Sequence, residues 1–147
     1  MKRPINSMTV KFDSRSVNEG FARAAAAAFI AQMDPTLEEL NDMKTAVSEA
    51  VTNCIVHAYP ENVGEITLSV KVFQPNTVEI VIRDKGCGIA DVEKARTPMF
   101  TTGGSERSGM GFTIMESFMD GLTVRSGSGG TTVKMRKQLA VRTGKRQ

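Results

Sequence analysis

Residues 66–82 alternate apolar and polar side chains, and this pattern constrains the fold more than any other feature of the chain. Side chains on a strand point alternately to the two faces of a sheet, so a period of two predicts strands with one buried face. The pattern is interrupted at residues 74–77 by a Pro-Asn turn, which predicts a hairpin. The apolar positions are Ile66, Leu68, Val70, Val72, Val78, Ile80 and Ile82.

Two longer segments are predicted to be helices that cover this face. The first, at about residues 15–31, contains a run of alanines, the residue with the highest helix propensity. The second is predicted to begin near residues 34–36 and to run to about residue 58, because Thr36 and Glu39 have the spacing of a capping box. Its expected buried stripe is Leu37, Leu40, Met43, Val47, Ala50, Val51, Cys54 and Ile55.

Shorter patterns complete the predicted fold. Alternation at residues 8–12 predicts a first strand, residues 111–120 a third helix, and residues 122–126 and 131–138 a final hairpin. No internal repeat is visible, so we expect a single domain over residues 1–147 with a basic tail from about residue 138. The predicted fold class is α+β, with helices packed on one face of a mixed, mostly antiparallel sheet.

Composition and charge exclude several functional classes. No apolar run approaches the ~20 residues of a membrane span, and the N-terminus lacks the apolar stretch of a signal peptide, so we expect a cytoplasmic protein without a membrane partner. Six basic and no acidic residues lie from Lys134 onward, which leaves 13 basic against 16 acidic in the rest. This distribution disfavours direct nucleic-acid binding, and we interpret the basic final strand and tail as solvated.

Cysteine usage points to a reduced protein. Cys54 and Cys87 are too few for a disulfide framework. Cys54 shares a predicted helix face with His57, but a zinc site would need further ligands that nothing nearby supplies. We therefore interpret the cysteines as small buried hydrophobic residues and His57 as a flanking or packing residue.

Three groups of residues carry a chemical signal. Glu49 and Asn53 lie one turn apart on the polar side of the second helix, so their side chains converge; a solvated polar pair is the alternative interpretation. Asp84 follows a strand and offers acceptor oxygens that suit the exocyclic amine of adenine. Gly86 and Gly88 would let a flat base lie against the backbone without a Cβ in the way.

Six glycines lie within residues 84–115, between the end of a predicted strand and the start of a predicted helix. Residues 109–111, Gly-Met-Gly, lead directly into that helix, and unpaired N–H groups at a helix N-terminus bind phosphates. The Walker and dinucleotide-binding glycine patterns are absent. An ordinary tight turn at residues 84–88 and an ordinary loop at residues 108–111 remain the alternative interpretations.

The same residues carry a family resemblance. Glu49-x-x-x-Asn53, Asp84-x-Gly86-x-Gly88, Gly109-x-Gly111-Phe112-Thr113 and Gly130-Thr131-Thr132, in that order, resemble the ATP-binding motifs of the GHKL superfamily. This superfamily includes gyrases, chaperones, histidine kinases and mismatch-repair proteins. The stretches "DPTLEELNDMKTAVSEAVTNCIVHAY" and "ERSGMGFTIMESFMDGLTV" narrow the resemblance to the anti-sigma serine kinases of spore-forming bacteria. The likeness spans residues 8 to about 137 and departs at residues 103–106, where the loop is one residue shorter and lacks the family's lysine.

The resemblance implies a two-layer α/β sandwich of the GHKL (Bergerat) type that binds ATP or ADP and Mg²⁺. It implies that Asn53 holds the metal, Glu49 accepts the proton of a substrate serine and Arg107 neutralises the γ-phosphate. Asp84 would hold adenine with Thr131 nearby, and residues 97–111 would fold over the nucleotide as a lid. Further nucleotide contacts are implied for Gly86, Gly88, Thr101, Thr102, Ser108, Gly109, Met110, Gly111 and Phe112.

The resemblance also implies the partners. A homodimer would inhibit a sporulation sigma factor of the sigma F type and phosphorylate a serine of an anti-anti-sigma protein. Arg23, the one cation among the alanines of the first helix, would contact both partners; a solubilising surface charge is the alternative. Two other functions stay open, namely a non-catalytic, ATP-dependent clamp for a sigma factor and the ATP-binding fragment of a histidine kinase.

Overall fold

The computed structural model describes residues 3–59, 61–86, 111–127 and 129–140. A short 3-10 turn, Ala31–Met33, follows the first helix, and a π-helical turn, Cys54–Ala58, extends the second. The elements in chain order are β1 (Asn6–Asp13), α1 (Val17–Ile30), α2 (Leu37–Asn53), β2 (Glu65–Phe73), β3 (Thr77–Asp84), α3 (Gly111–Phe118), β4 (Gly121–Gly127) and β5 (Gly130–Gln138).

The five strands form one sheet in the order β1-β2-β3-β5-β4. Every pairing among these described strands is antiparallel, where the sequence prediction allowed a mixed sheet. The predicted hairpin is β2 and β3, with Val70 opposite Ile80 and Ile66 opposite Asp84. The predicted α+β fold, with helices on one face of the sheet, is confirmed.

One layer of apolar side chains joins the helices to the sheet. Alternate residues of β2 and β3 are fully buried, as their period of two predicts, and their burial is the main source of stability. The helices contribute Ala22, Ala26 and Ile30 from α1, Met43, Ala46, Val47, Ala50 and Val51 from α2, and Phe112 and Met115 from α3. Among the described residues, no helix combines the length and apolar character needed to cross a membrane.

The start of α2 is the capping box that the sequence predicts. The Thr36 side-chain oxygen accepts a bond from the Glu39 N–H at 3.0 Å, and the Glu39 carboxylate accepts one from the Thr36 N–H at 2.8 Å. The second oxygen of Glu39 accepts a bond from the N–H of Ala140 at 2.7 Å. Glu39 therefore also ties the beginning of α2 to the chain just after β5.

Two sequence interpretations need correction. Leu37, predicted to be part of the buried stripe, is 75% exposed because it is the first residue of α2 and the helix becomes covered only further along. Lys137, predicted to be solvated, has a side chain only 13% exposed. Its ammonium donates to the Phe118 carbonyl at 2.7 Å and lies 3.7 Å from the Asp42 carboxylate, so it joins α3, α2 and β5.

The turn between β4 and β5 brings two strands together at Gly130. This residue has φ +127°, a backbone conformation that residues with a side chain rarely adopt. A Cβ at this position would also overlap the carbonyl oxygen of Asp84. The neighbouring Gly129 faces open space. The end of β3 can therefore approach β5 closely only because residue 130 has no side chain.

Gly130→Ala should lower the free energy of unfolding by at least ~2 kcal/mol, because the backbone conformation and the overlap with Asp84 both penalise a Cβ. Gly129→Ala is the matched control and should stay within ~0.5 kcal/mol of wild type. Urea unfolding followed by circular dichroism measures both. Equal midpoints for the two variants would show that residue 130 does not need glycine.

Thr36→Ala should lower the free energy of unfolding by about 1 kcal/mol, since it leaves an N–H in the first turn of α2 without its acceptor. Asn41→Ala, at an exposed position of the same helix, is the control and should cause no loss because alanine is the better helix former. The same unfolding assay compares them. If Thr36→Ala is as stable as Asn41→Ala, the cap contributes nothing.

Candidate functional site

The C-terminal end of α2 and the N-terminal end of α3 meet at Asn53. Glu49 and Asn53 are both partly buried and lie one turn apart on α2. Gly111 begins α3, and a Cβ on it would lie 3.1 Å from the Asn53 amide nitrogen and 3.2 Å from its amide oxygen. The structure thus brings together two predicted site residues that are distant in sequence.

Asp84 lies at the end of β3, where the sequence places it, and is only 6% exposed. One carboxylate oxygen accepts hydrogen bonds from the N–H groups of Gly86 at 2.9 Å and Thr131 at 3.2 Å. Asp84 and Thr131 are direct partners in the β3–β5 pairing. Two predicted site residues thus surround the carboxylate, which is buried but not isolated.

Cys54 supplies the third contact to this carboxylate. Its sulfur lies 3.4 Å from the second oxygen of Asp84. Burial raises the pKa of the Cys54 thiol well above its ordinary value, and the negative charge of Asp84 raises this pKa further. The thiol therefore stays protonated and donates a hydrogen bond to Asp84. Helix periodicity predicts the burial of Cys54 but not its polar contact, for which the position of Cys54 directly after Asn53 is the only signal in the sequence.

Tyr59, which the sequence analysis did not single out, fixes the chain beyond Asp84. Its hydroxyl donates to the carbonyl of Glu65 at 2.8 Å and accepts from the N–H of Lys85 at 2.7 Å. Gly86 lies so close to the end of the π-helical turn that a Cβ on it would overlap the Ala58 carbonyl. The turn after β3 is therefore held against the end of the second helix.

Two predicted site residues have side chains engaged within the fold, and His57, predicted to be a flanking or packing residue, is partly buried. Phe112 is 6% exposed and packs in the hydrophobic core, so only its backbone N–H, in the first turn of α3, is left for a ligand. The Thr131 hydroxyl lies 2.7 Å from the Ser126 hydroxyl. His57 lies in the π-helical turn, and burial lowers the pKa of its imidazole.

Arg23 lies on the exposed part of α1, apart from Asp84. Its guanidinium is 3.1 Å from the Glu19 carboxylate and 3.4 Å from the Ser48 hydroxyl. Ser48 directly precedes Glu49 on α2. The cation therefore lies on the helical layer, at the junction of α1 and α2.

Several predicted site residues lie outside the described residues. They are Gly88, Thr101, Thr102, Arg107, Ser108, Gly109 and Met110, together with the predicted lid. Within the described ranges, no group of three or more His, Cys, Asp and Glu side chains is arranged to hold a metal ion. The described part of the site thus consists of a buried carboxylate acceptor, an amide beside a helix N-terminus and a carboxylate one turn away.

Comparisons with known proteins identify the family to which the chain belongs. Residues 11–137 match the family described as the histidine kinase-like ATPase domain. The chain is 52% identical to the anti-sigma F factor of Heyndrickxia coagulans over 93% of this chain and 95% of that protein. It is 55% identical to the anti-sigma F factor of Caldanaerobacter subterraneus subsp. tengcongensis (91% and 94% of the two chains) and 51% identical to that of Bacillus subtilis (92% and 94%).

Solved structures show the same fold at low identity. The RsbU and RsbW domains of Rv1364c from Mycobacterium tuberculosis superpose with a TM-score of 0.71 at 19% identity, covering 95% of this chain and 34% of that one. The mycobacterial sensor histidine kinase MprB gives a TM-score of 0.55 at 18% identity, covering 70% and 74%. From its sequence relatives and its fold, the chain belongs to the anti-sigma F factor family, within the GHKL superfamily of histidine kinase-like ATPase domains.

Proposed function

We propose that this protein is an ATP-dependent serine kinase and anti-sigma factor, which inhibits a sporulation sigma factor and inactivates an anti-anti-sigma protein by phosphorylating its serine. The observation that carries the proposal is the meeting of Asn53 with the start of α3, one turn from Glu49. A metal-binding oxygen, a phosphate-binding helix end and a proton acceptor are the groups that phosphoryl transfer needs.

In the proposed complex, the nucleotide lies between Asp84 and α3. The buried Asp84 carboxylate accepts a hydrogen bond from the exocyclic amine of adenine, while the N–H groups at the start of α3 face the phosphates. The absence of a side chain at Gly86 keeps the backbone turn beside Asp84 compact. The family match to an ATPase domain supports nucleotide binding at this site.

The residues around Asn53 fit a magnesium ion. Mg²⁺ takes few ligands from protein and the remainder from phosphates and water, so one amide oxygen is an adequate protein ligand. Gly111 leaves space beside that oxygen which a Cβ would fill. In the proposed site Asn53 holds the ion, which neutralises charge on the phosphates when it is bound.

The transfer step assigns one role to each remaining group. The Glu49 carboxylate takes the proton of the substrate serine as the serine oxygen bonds to the γ-phosphorus, and the bond from that phosphorus to the bridging oxygen breaks to release ADP. Arg107 supplies positive charge to the transferred group. A carboxylate at position 49 favours a kinase over a clamp that only binds ATP, because binding alone needs no base.

The names of the relatives support one of the proposed partners. An anti-sigma F factor implies a sigma factor, and the proposal adds an anti-anti-sigma protein as the serine substrate, a homodimer as the active form and the cytoplasm as the compartment. Arg23 is proposed to contact both partners, because it is exposed on α1 and lies beside Ser48, the residue before Glu49. A shared contact would prevent the two partners from binding together.

Glu49→Gln should keep ATP affinity within about threefold and lower single-turnover phosphorylation of the anti-anti-sigma serine by ~10²–10⁴-fold, because the amide keeps the shape and cannot accept the proton. Glu38→Gln, an exposed change at the other end of α2, is the control and should leave the rate unchanged. If Glu49→Gln phosphorylates the serine at the wild-type rate, Glu49 does not act as the catalytic base. Absence of phosphorylation by the wild type would favour the non-catalytic clamp.

Arg23→Glu should weaken binding of both the sigma factor and the anti-anti-sigma protein by at least ~30-fold, since a carboxylate would replace the shared cation. Nucleotide affinity should not change. Arg15→Glu is a matched control, because Arg15 is also exposed and also lies beside an acidic residue, Asp13. If calorimetry shows that Arg23→Glu binds both partners with wild-type affinity, Arg23 does not contact them and is a solubilising surface charge.

A further inference from the structure

The hydrogen bonds of Asp84 leave one defined position for a ligand. A carboxylate has about four lone-pair sites, two on each oxygen. The N–H groups of Gly86 and Thr131 use the sites of one oxygen, and the Cys54 thiol uses one site of the other. The donors among the described residues therefore leave a single acceptor site, on the oxygen that Cys54 contacts.

Cys54 is held in place to make this contact. It begins the π-helical turn, it is 4% exposed, and its carbonyl accepts a bond from the N–H of Tyr59 at 3.3 Å. Such π-helical turns are frequent at functional sites because they redirect side chains locally. The thiol donates to Asp84 from the π-helical turn, whereas the two N–H groups belong to Gly86, just after β3, and to Thr131 on β5.

We propose that the Cys54 thiol positions the Asp84 carboxylate for base recognition and so sets the preference for adenine over guanine. With both oxygens held, the carboxylate cannot rotate to suit another ligand, and its remaining site accepts only a donor. Adenine presents an amine there, whereas guanine presents a carbonyl oxygen that the carboxylate would repel. This inference rests on the proposed nucleotide site and adds a positioning residue to it.

A thiol suits this role better than a charged or bulkier donor. It is a neutral, weak donor, so it orients the carboxylate without cancelling the charge that attracts the amine. It is also small and largely apolar, which lets it lie within the core beside Val51 and Ala50. An alanine at position 54 would fill most of the same space and leave one oxygen of Asp84 without its partner.

The test compares binding of ADP and GDP to the full chain by calorimetry in the presence of Mg²⁺, for wild type, Cys54→Ala, Cys54→Ser and Asp84→Asn. Cys54→Ala should bind ADP about fivefold more weakly than wild type, and its preference for ADP over GDP should fall by at least the same factor. An effect of this size is expected when one hydrogen bond is lost. Cys54→Ser keeps a donor and should restore both the affinity and the preference to within about twofold of wild type.

A purely structural role for Cys54 predicts the opposite order. A buried hydroxyl packs less well than a methyl group, so packing alone would make Cys54→Ser the weaker variant and would leave the ratio of ADP to GDP affinities unchanged. Unfolding in urea, measured on each variant, separates loss of stability from loss of preference. Either an unchanged ratio in Cys54→Ala or a failure of Cys54→Ser to restore it overturns the inference.

Asp84→Asn distinguishes this inference from the proposed site itself. If Asp84→Asn loses ADP affinity while Cys54→Ala behaves as wild type, the adenine site stands and the role of Cys54 is overturned. If Asp84→Asn binds both nucleotides as the wild type does, Asp84 is not the base-reading residue, and both the site and the role of Cys54 are overturned.

Discussion

The buried carboxylate of Asp84 is the interaction on which the site depends. It lies at the end of β3 and accepts hydrogen bonds from three neutral donors, one in the turn that follows, one on β5 and one at the end of α2. A carboxylate in the interior is costly unless its oxygens have partners, so these three segments must stay together around it. Gly130 permits the necessary approach of β5, because its backbone would otherwise carry a Cβ into the Asp84 carbonyl.

Much of the fold could be predicted because its signals are local or periodic. The alternation at residues 66–82 depends only on which face of a strand each side chain occupies, and β2 and β3 follow it along their lengths. The capping box depends on two residues three positions apart, and Thr36 and Glu39 form it as predicted. Helix periodicity likewise placed Glu49 and Asn53 on one side of α2, and the family resemblance linked that side to the start of α3.

The remaining features depend on contacts that no local pattern encodes. Whether a buried cysteine only packs in the core or also donates a hydrogen bond depends on its neighbours in space. The acceptor for Cys54 is Asp84, which lies thirty positions later in the chain. Tyr59 bridges Glu65 and Lys85 for the same reason. The number of charges in the tail does not show that Lys137 contacts both α2 and α3. The helical period alone does not show that Leu37 lies before the buried part of α2.

The second hydrogen bond of Glu39 also fixes the position of Ala140, the last residue that the structure describes. Ala140 is held at the first turn of α2, whereas Asn53 lies at the last turn of that helix. Asn53 lies fourteen positions after Glu39, which is about 20 Å along the helix axis. A label or a second protein fused after Ala140 would therefore begin near the end of α2 remote from Asn53, and α2 would act as a rigid spacer between them.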